Sequence, residues 1–203
     1  WAASADRAWA GGQGGVILQW NGAGWNPEST PTTETITGIW GADSGEVFAV
    51  GTAGLLLRRS GGTWLRDSSP TDGTLLDVWG LDREHAWIVG SNSTVLQRTS
   101  SGWSAMTVPG AAELWGIWGT SDQALVAVGQ NGVVMECCDS GGWQQVPSPT
   151  SAALFAVSGD GAGRVVAVGG SGTILLRDAG GWRQVSSPTR VNLFGVWSDG
   201  PQC

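Results

Sequence analysis

The chain has 203 residues, and its 17 acidic against 10 basic side chains give a net charge of −7 that repels phosphate backbones and anionic lipid, setting nucleic acid aside as a partner. Fourteen Trp, 34 Gly and no Tyr accompany an ordinary hydrophobic content of 41%, and glycine at that density points to many tight turns between short strands. No run approaches the roughly 18 apolar residues of a membrane span and no charged stretch followed by an apolar one opens the chain, so neither direct membrane insertion nor a signal peptide is expected.

The chain repeats itself. Tryptophan recurs at Trp1, Trp40, Trp79, Trp118 and Trp197, with Ser158 in the one missing place, so the period is 39 residues and slips by one residue once. A unit of this size cannot bury its apolar face alone, and stacked copies must do so together. One domain is expected over 1–203, with repeats at 1–39, 40–78, 79–117, 118–157 and 158–196 and a closing segment at 197–203. A start at Trp1 inside a repeat reads as a processed form or a piece of a longer protein.

Within each repeat a short apolar strand comes first, beginning at Ile36, Leu75, Leu114, Leu154 and Leu193 and ending at the marker position. A polar loop with Asp43, Asp82, Asp122 or Asp160 follows, and then a second apolar run such as Val47-Phe48-Ala49-Val50 or Ala86-Trp87-Ile88-Val89. Glycine stands next in every copy, at Gly12, Gly51, Gly90, Gly129 and Gly169. It returns three residues later except at Ser93, which reads as a hairpin turn into a third strand. Another glycine-rich turn leads to a tryptophan present in all five copies, Trp25, Trp64, Trp103, Trp143 and Trp182. Each is followed by a proline, Pro31, Pro70, Pro109, Pro149 or Pro188, that ends the fourth strand.

Four short strands per repeat of about 40 residues predict an all-β fold, a five-bladed β-propeller of four-stranded antiparallel blades. The terminal run Leu193-Phe194-Gly195-Val196-Trp197 reads as one more first strand that completes the first blade and closes the ring, with Trp1 and Trp197 competing for one place.

The turns Asn21-Gly22-Ala23-Gly24-Trp25, Asp139-Ser140-Gly141-Gly142-Trp143 and Asp178-Ala179-Gly180-Gly181-Trp182 resemble shortened Asp boxes of the BNR type. With the Leu-x-x-Val-Trp-Gly and Val-Gly-x-x-Gly segments, the whole chain is similar to short-blade propellers such as photosystem II assembly factors. The resemblance implies a fold, not an activity, and the turns before Trp64 and Trp103 lack the acidic residue.

Catalytic chemistry finds little support. A sialidase needs a tyrosine nucleophile, and there is none. The loop aspartates recur with the repeat, as turn carboxylates bonding backbone N–H groups do. His85 is the single histidine, no nucleophile motif accompanies it, and no metal-ligand spacing or cofactor motif is present, so no enzyme activity, metal or cofactor is expected. Adjacent Cys137 and Cys138 could form a vicinal disulfide, act in redox chemistry or remain thiols. With Cys203 left over, cysteine usage favours a secreted, periplasmic or cell-surface setting.

Binding is the remaining function class. The tryptophans shared by all copies read as packing between blades, whereas Trp20, where other copies place Arg59, Arg98 and Arg177, and Trp115 break the pattern and are candidate ligand contacts. The loops after each proline differ between copies and carry Glu34, Asp72, Glu113 and Arg190, further candidates. Those loops should share a face with the Gly-x-x-Gly turns. Their variability favours a composite surface for a protein partner, while abundant Trp leaves open a multivalent, tachylectin-like glycan binder, or a structural domain of a larger surface assembly.

Overall fold

The fold is described from a computed structural model covering residues 1–42, 45–110, 112–138 and 142–198. It contains five four-stranded antiparallel sheets, each made of strands consecutive in the chain. Contacts group the chain into two compact units, Trp1–Met106 and Thr107–Cys203.

The first unit holds three sheets. Sheet 1 is β1 (Ala2–Ser4), β2 (Arg7–Gly11), β3 (Ile17–Trp20) and β4 (Trp25–Glu28). Sheet 2 is β5 (Ile36–Gly41), β6 (Val47–Gly51), β7 (Leu56–Ser60) and β8 (Thr63–Arg66), and sheet 3 is β9 (Leu75–Gly80), β10 (Ala86–Gly90), β11 (Val95–Thr99) and β12 (Gly102–Ala105). The second unit holds sheet 4, β13 (Leu114–Ser121), β14 (Ala124–Gly129), β15 (Val134–Cys137) and β16 (Gln144–Val146), and sheet 5, β17 (Leu154–Gly159), β18 (Val165–Gly169), β19 (Ile174–Asp178) and β20 (Gly181–Val185).

The second strands of sheets 2 to 5 are the most deeply buried. Val47, Phe48, Ala49 and Val50, like Ala86, Trp87, Ile88 and Val89, lose all solvent contact, which explains why these runs are apolar at every position rather than at alternate ones. Neighbouring sheets stack through the marker tryptophans. A β-carbon at Gly41 would collide with the Trp1 ring, one at Gly80 with Trp40 and one at Gly159 with Trp118. The Trp-Gly dipeptide thus serves two seams, its ring reaching the next sheet and its glycine receiving the ring of the sheet before. Where Ser158 replaces the ring, Ser198 replaces the glycine that would receive it, and the Ser198 N–H donates to Ser158 Oγ at 3.1 Å.

The glycine that ends each second strand has a different cause. Its φ is extended, a conformation open to any residue, but a β-carbon at Gly51, Gly90, Gly129 or Gly169 would strike the carbonyl oxygen of Thr35, Thr74, Glu113 or Ala153, just ahead of the first strand. The same four carbonyls accept the N–H of Thr52, Ser91, Gln130 and Gly170 at 2.8–3.1 Å. The following turn takes positive φ at its middle residue whatever the side chain, as at Ala53 (54°), Asn92 (55°), Asn131 (56°) and Ser171 (54°). Ser93 adopts the same region at 55° where other copies use glycine.

Two expectations are corrected. The segment 193–197 forms no strand, and the inner strand of sheet 1 is Ala2–Ser4 from the chain's own beginning, so the expected closure by the terminal strand is not seen. The tryptophans before the prolines do not all pack between sheets: Trp64, Trp103 and Trp143 are buried, but Trp25 is 49% exposed. At two of the five places the indole reaches a carboxylate of the preceding sheet: Trp64 Nε1 donates to Glu28 at 2.7 Å and Trp182 Nε1 to Glu136 at 2.8 Å, whereas the buried Trp103 and Trp143 indoles find no partner among the described residues. Trp25 rests on Trp20, ring centroids 5.8 Å apart. Asp43, Asp139, Ser140, Gly141 and Cys203 lie outside the described residues.

Substituting Gly129 or Gly169 by Ala should destabilise the fold by about 1–3 kcal/mol, since a backbone carbonyl, not a mobile side chain, must move. Chemical denaturation would show this as a lower midpoint with an unchanged slope.

Candidate functional site

The first strands of sheets 2 to 5 carry a β-bulge at one register position. In sheet 2, Ile36 pairs with Gly51 and Gly38 with Val50, leaving Thr37 as the extra residue. Leu76, Trp115 and Phe155 take the same place in sheets 3, 4 and 5. A bulge re-aims the side chain it carries. In the first unit, the Thr37 hydroxyl donates to Leu75 O at 2.6 Å, tying β5 to β9. In the second unit the position is aromatic. Trp115 lies 5.4 Å from Phe155, and Phe155 lies 5.1 Å from Phe194, ring centroid to ring centroid. Phe194 is 70% exposed and the other two rings are half-buried. The Trp115 indole donates to Glu113 Oε2 at 3.2 Å, so a carboxylate borders the row of rings.

The post-proline loops do share an end of the sheets with the Gly-x-x-Gly turns. Thr30 Oγ1 donates to Gly15 O, Gly54 N–H to Gly73 O and Ser171 N–H to Asn192 Oδ1. Glu34 accepts from Thr52 Oγ1 at 3.0 Å at this end, and Asp72 and Arg190 are exposed there. Trp20 is elsewhere: it closes β3 at the opposite end of sheet 1, where its indole donates to Ala5 O at 3.0 Å. Of the six candidates, Trp115 and Glu113 are in contact, Glu34 and Asp72 sit on separate loops, and Trp20 stands apart. Phe155 and Phe194 complete the aromatic row. Their signal in the sequence was that three of five copies are aromatic at one register position.

The arginines that Trp20 replaces hold neighbouring sheets together. Arg59 meets Glu28 through two nitrogens, at 2.6–3.0 Å, and the same carboxylate takes Trp64 Nε1. Arg177 meets Glu136 at 2.7 Å beside Trp182. Arg98 meets Asp67 at 3.2 Å, but Trp103 Nε1 has no hydrogen-bond partner among the described residues. Asp67 occupies the register place of Glu28 with one methylene fewer, which accounts for the unmet indole. Between sheets 4 and 5 a cleft of about 380 Å³ is lined by Trp118, Gln123, Gln144, Glu136 and Arg177, with Cys137 and Cys138, bonded to each other, at its wall.

The loop aspartates behave as turn carboxylates. Asp82 Oδ1 accepts the N–H groups of Glu84 and His85 at 2.7 and 2.9 Å, and Asp160 Oδ1 those of Ala162 and Arg164 at 2.8 and 3.0 Å. His85 Nδ1 lies 2.9 Å from Asp82, and this side-chain bond, followed by the Glu84 N–H, holds the Asp82 carboxyl below its ordinary range. Partial desolvation opposes ionisation of Asp160, but the Ala162 and Arg164 N–H groups outweigh it and its carboxyl is also lowered. In the Gly-rich turns Asn21 Oδ1 accepts from Ala23 and Gly24, and Asp178 Oδ1 from Gly180. The Gly180 N–H and then the Arg183 side chain lower the Asp178 carboxyl.

No family model matches the chain, and no curated protein matches it. Solved structures do. A YCF48 structure with a bound D1 peptide superposes with TM-score 0.72 at 18% identity, over 94% of this chain and 66% of that one. The RRP9 WD40 repeats give 0.73 at 12% identity, over 92% and 64%, and the WD40 β-propeller domain of Doa1 gives 0.75 at 8% identity, over 93% and 68%. The chain thus spans just under two thirds of the first two structures. These likenesses and the five four-stranded sheets define an all-β protein of the β-propeller class.

Asp67→Glu should bring a carboxylate within reach of Trp103 Nε1 and stabilise the fold by about 1 kcal/mol, a gain that Trp103→Phe removes; urea denaturation of the two single variants and the double variant measures it. A second expectation concerns acid. Unfolded aspartates titrate at about 3.9, and the folded values of Asp82, Asp160 and Asp178 lie lower, so folding favours their ionised forms. That stabilisation is present above the unfolded value and is lost as pH falls through the folded ones. Asp160→Asn keeps a turn acceptor but removes the charge, so it should lower the neutral-pH thermal midpoint slightly and flatten its fall below about pH 4, the two proteins converging in acid.

Proposed function

We propose that this chain is a non-catalytic docking module that recognises a protein partner in an exported or cell-surface setting. The observation that carries the reading is the row Trp115, Phe155 and Phe194 with Glu113 at its border, two half-buried rings and one exposed ring beside a charge and next to loops that differ in every copy. Rings of this kind anchor protein interfaces because they bury much area at little cost in side-chain freedom. Composition of the loops supports one composite surface over five equal sites, and the net charge of −7 speaks against a nucleic-acid partner. The YCF48 structure shows a propeller of similar fold holding a peptide, which is compatible with this reading. The vicinal cysteine pair supports the exported setting.

A second reading, carbohydrate binding, draws on the cleft between sheets 4 and 5, whose lining includes Trp118, Gln123, Gln144 and Arg177. The Asp-box-like turns and a tachylectin-like architecture belong to that reading.

A peptide-array screen of the purified chain, followed by tryptophan-fluorescence titration of each hit, separates the two. Trp115→Ala and Phe155→Ala should each weaken peptide binding by about tenfold or more. Hits on a parallel glycan array that survive both substitutions, with no peptide bound, would replace the docking reading with the sugar reading.

A further inference from the structure

The fourth copy departs from the others at one place. Trp20, Arg59, Arg98 and Arg177 each stand five residues before the tryptophan that follows the glycine-rich turn. Each also pairs with it, Trp20 with Trp25, Arg59 with Trp64, Arg98 with Trp103 and Arg177 with Trp182. Cys137 takes that place in sheet 4 but stands six residues before Trp143, and the ladder between β15 and β16 stops one step earlier, at Glu136 and Gln144. The added residue of the repeat therefore falls in the turn that Cys138 opens.

Adjacent side chains of an extended strand point to opposite faces, so two neighbouring sulfurs meet only where the extended conformation breaks. β15 ends at Cys137, which is bonded to Cys138. The Cys138 N–H donates to Gln123 O at 2.9 Å and ties the pair to the start of β14.

Both cysteines line the cleft of about 380 Å³ between sheets 4 and 5, a volume within the roughly 300–1,000 Å³ of small-molecule pockets. They meet it unequally, since Cys137 is 7% exposed and Cys138 is half-buried. Glu136 and Arg177 line the same cleft and bond each other at 2.7 Å, so these two side chains together confront an entering thiolate with no net charge.

We propose that Cys137 and Cys138 form a thiol–disulfide exchange site that takes a small dithiol. One thiol of the reductant loses its proton and attacks the more accessible sulfur, Cys138 Sγ. The Cys137–Cys138 bond breaks, a mixed disulfide forms on Cys138, and Cys137 Sγ leaves as a thiolate and takes up a proton. The second thiol of the reductant then attacks the reductant's own sulfur in the mixed disulfide and closes a ring. Cys138 Sγ is released and protonated in turn. Two electrons pass from the dithiol to the cysteine pair, two protons end on the cysteines, and the reductant departs as a cyclic disulfide; the reverse sequence reoxidises the pair. The inference rests on the broken repeat and the cleft, and is independent of the docking and sugar readings above.

Cys203→Ser removes the third thiol and serves as the parent protein. Incubated with dithiothreitol without denaturant, then quenched and alkylated, it should gain two alkyl groups by mass spectrometry, at a rate that rises in proportion to dithiothreitol concentration. Oxidised dithiothreitol should take them away again. A disulfide reached only through unfolding would be reduced at a rate that ignores the dithiol concentration. Cys137→Ser and Cys138→Ser in the same background separate the two sulfurs: offered oxidised glutathione, the Cys138 thiol of the first should form a mixed disulfide about tenfold or more faster than the Cys137 thiol of the second, because reactivity follows access. Should either variant fail to fold, the kinetics of the parent decide alone. A reduction rate independent of dithiol concentration, cysteines that remain thiols in oxidised dithiothreitol, or a Cys137 that reacts as fast as Cys138 would each overturn the proposal.

Discussion

A backbone carbonyl resting on a glycine holds sheets 2 to 5 in register. No side chain fits between the two strands there, because the oxygen that precedes the first strand occupies the space a β-carbon needs, and that oxygen is also bound by the next N–H. Fixing the strand at this point places the bulge one residue beyond the first paired residue, and the bulge decides where Thr37, Leu76, Trp115 and Phe155 point. The aromatic row is thus a consequence of backbone packing at the sheet ends. Side-chain identity at the bulge is then free to differ: a hydroxyl that ties two strands in one unit, rings that present an apolar surface in the other.

Charge enters at a second level. The seams inside each unit are closed first by rings on glycines, and the Arg–carboxylate–indole clusters lie outside that core, at partly exposed sites where an ion pair alone would add little. Their weight comes from sharing. Glu28 satisfies an arginine and the buried indoles of Trp9 and Trp64 at once, so losing it would leave all three without that partner. The contrast with Asp67, one methylene shorter, shows how finely the arrangement depends on side-chain length.

Strand order and number were legible in the sequence because the repeat could be compared with itself. Val47-Phe48-Ala49-Val50 announced a strand buried on both faces, and Gly51 announced the turn after it. The two glycines of that turn differ in cause, which the pattern does not distinguish: positive φ belongs to the turn residues that follow, such as Ala53 and Gly54, while Gly51 is extended and yields space. The aim of the bulge was not legible, since period-two alternation says nothing about an extra residue. Nor could pattern alone reveal that Trp25, identical in register to Trp64, is half exposed and rests on Trp20, because burial depends on what stands beside a strand and not on the strand. Leu193-Phe194-Gly195-Val196-Trp197 has a first strand's sequence for the same reason it has a first strand's position, yet a strand exists only where a neighbour completes its hydrogen bonds.

The exchange of Trp and Gly for Ser158 and Ser198 bears on how such a chain can change. Each copy of the repeat contributes a ring to one seam and a glycine to another, so altering a single copy disturbs two boundaries, whereas altering both sides of one boundary disturbs none. The heritable module is then the join between neighbours, offset from the repeat that the eye reads in the sequence. Grafting a copy from elsewhere would succeed only if it arrived with both of its joins.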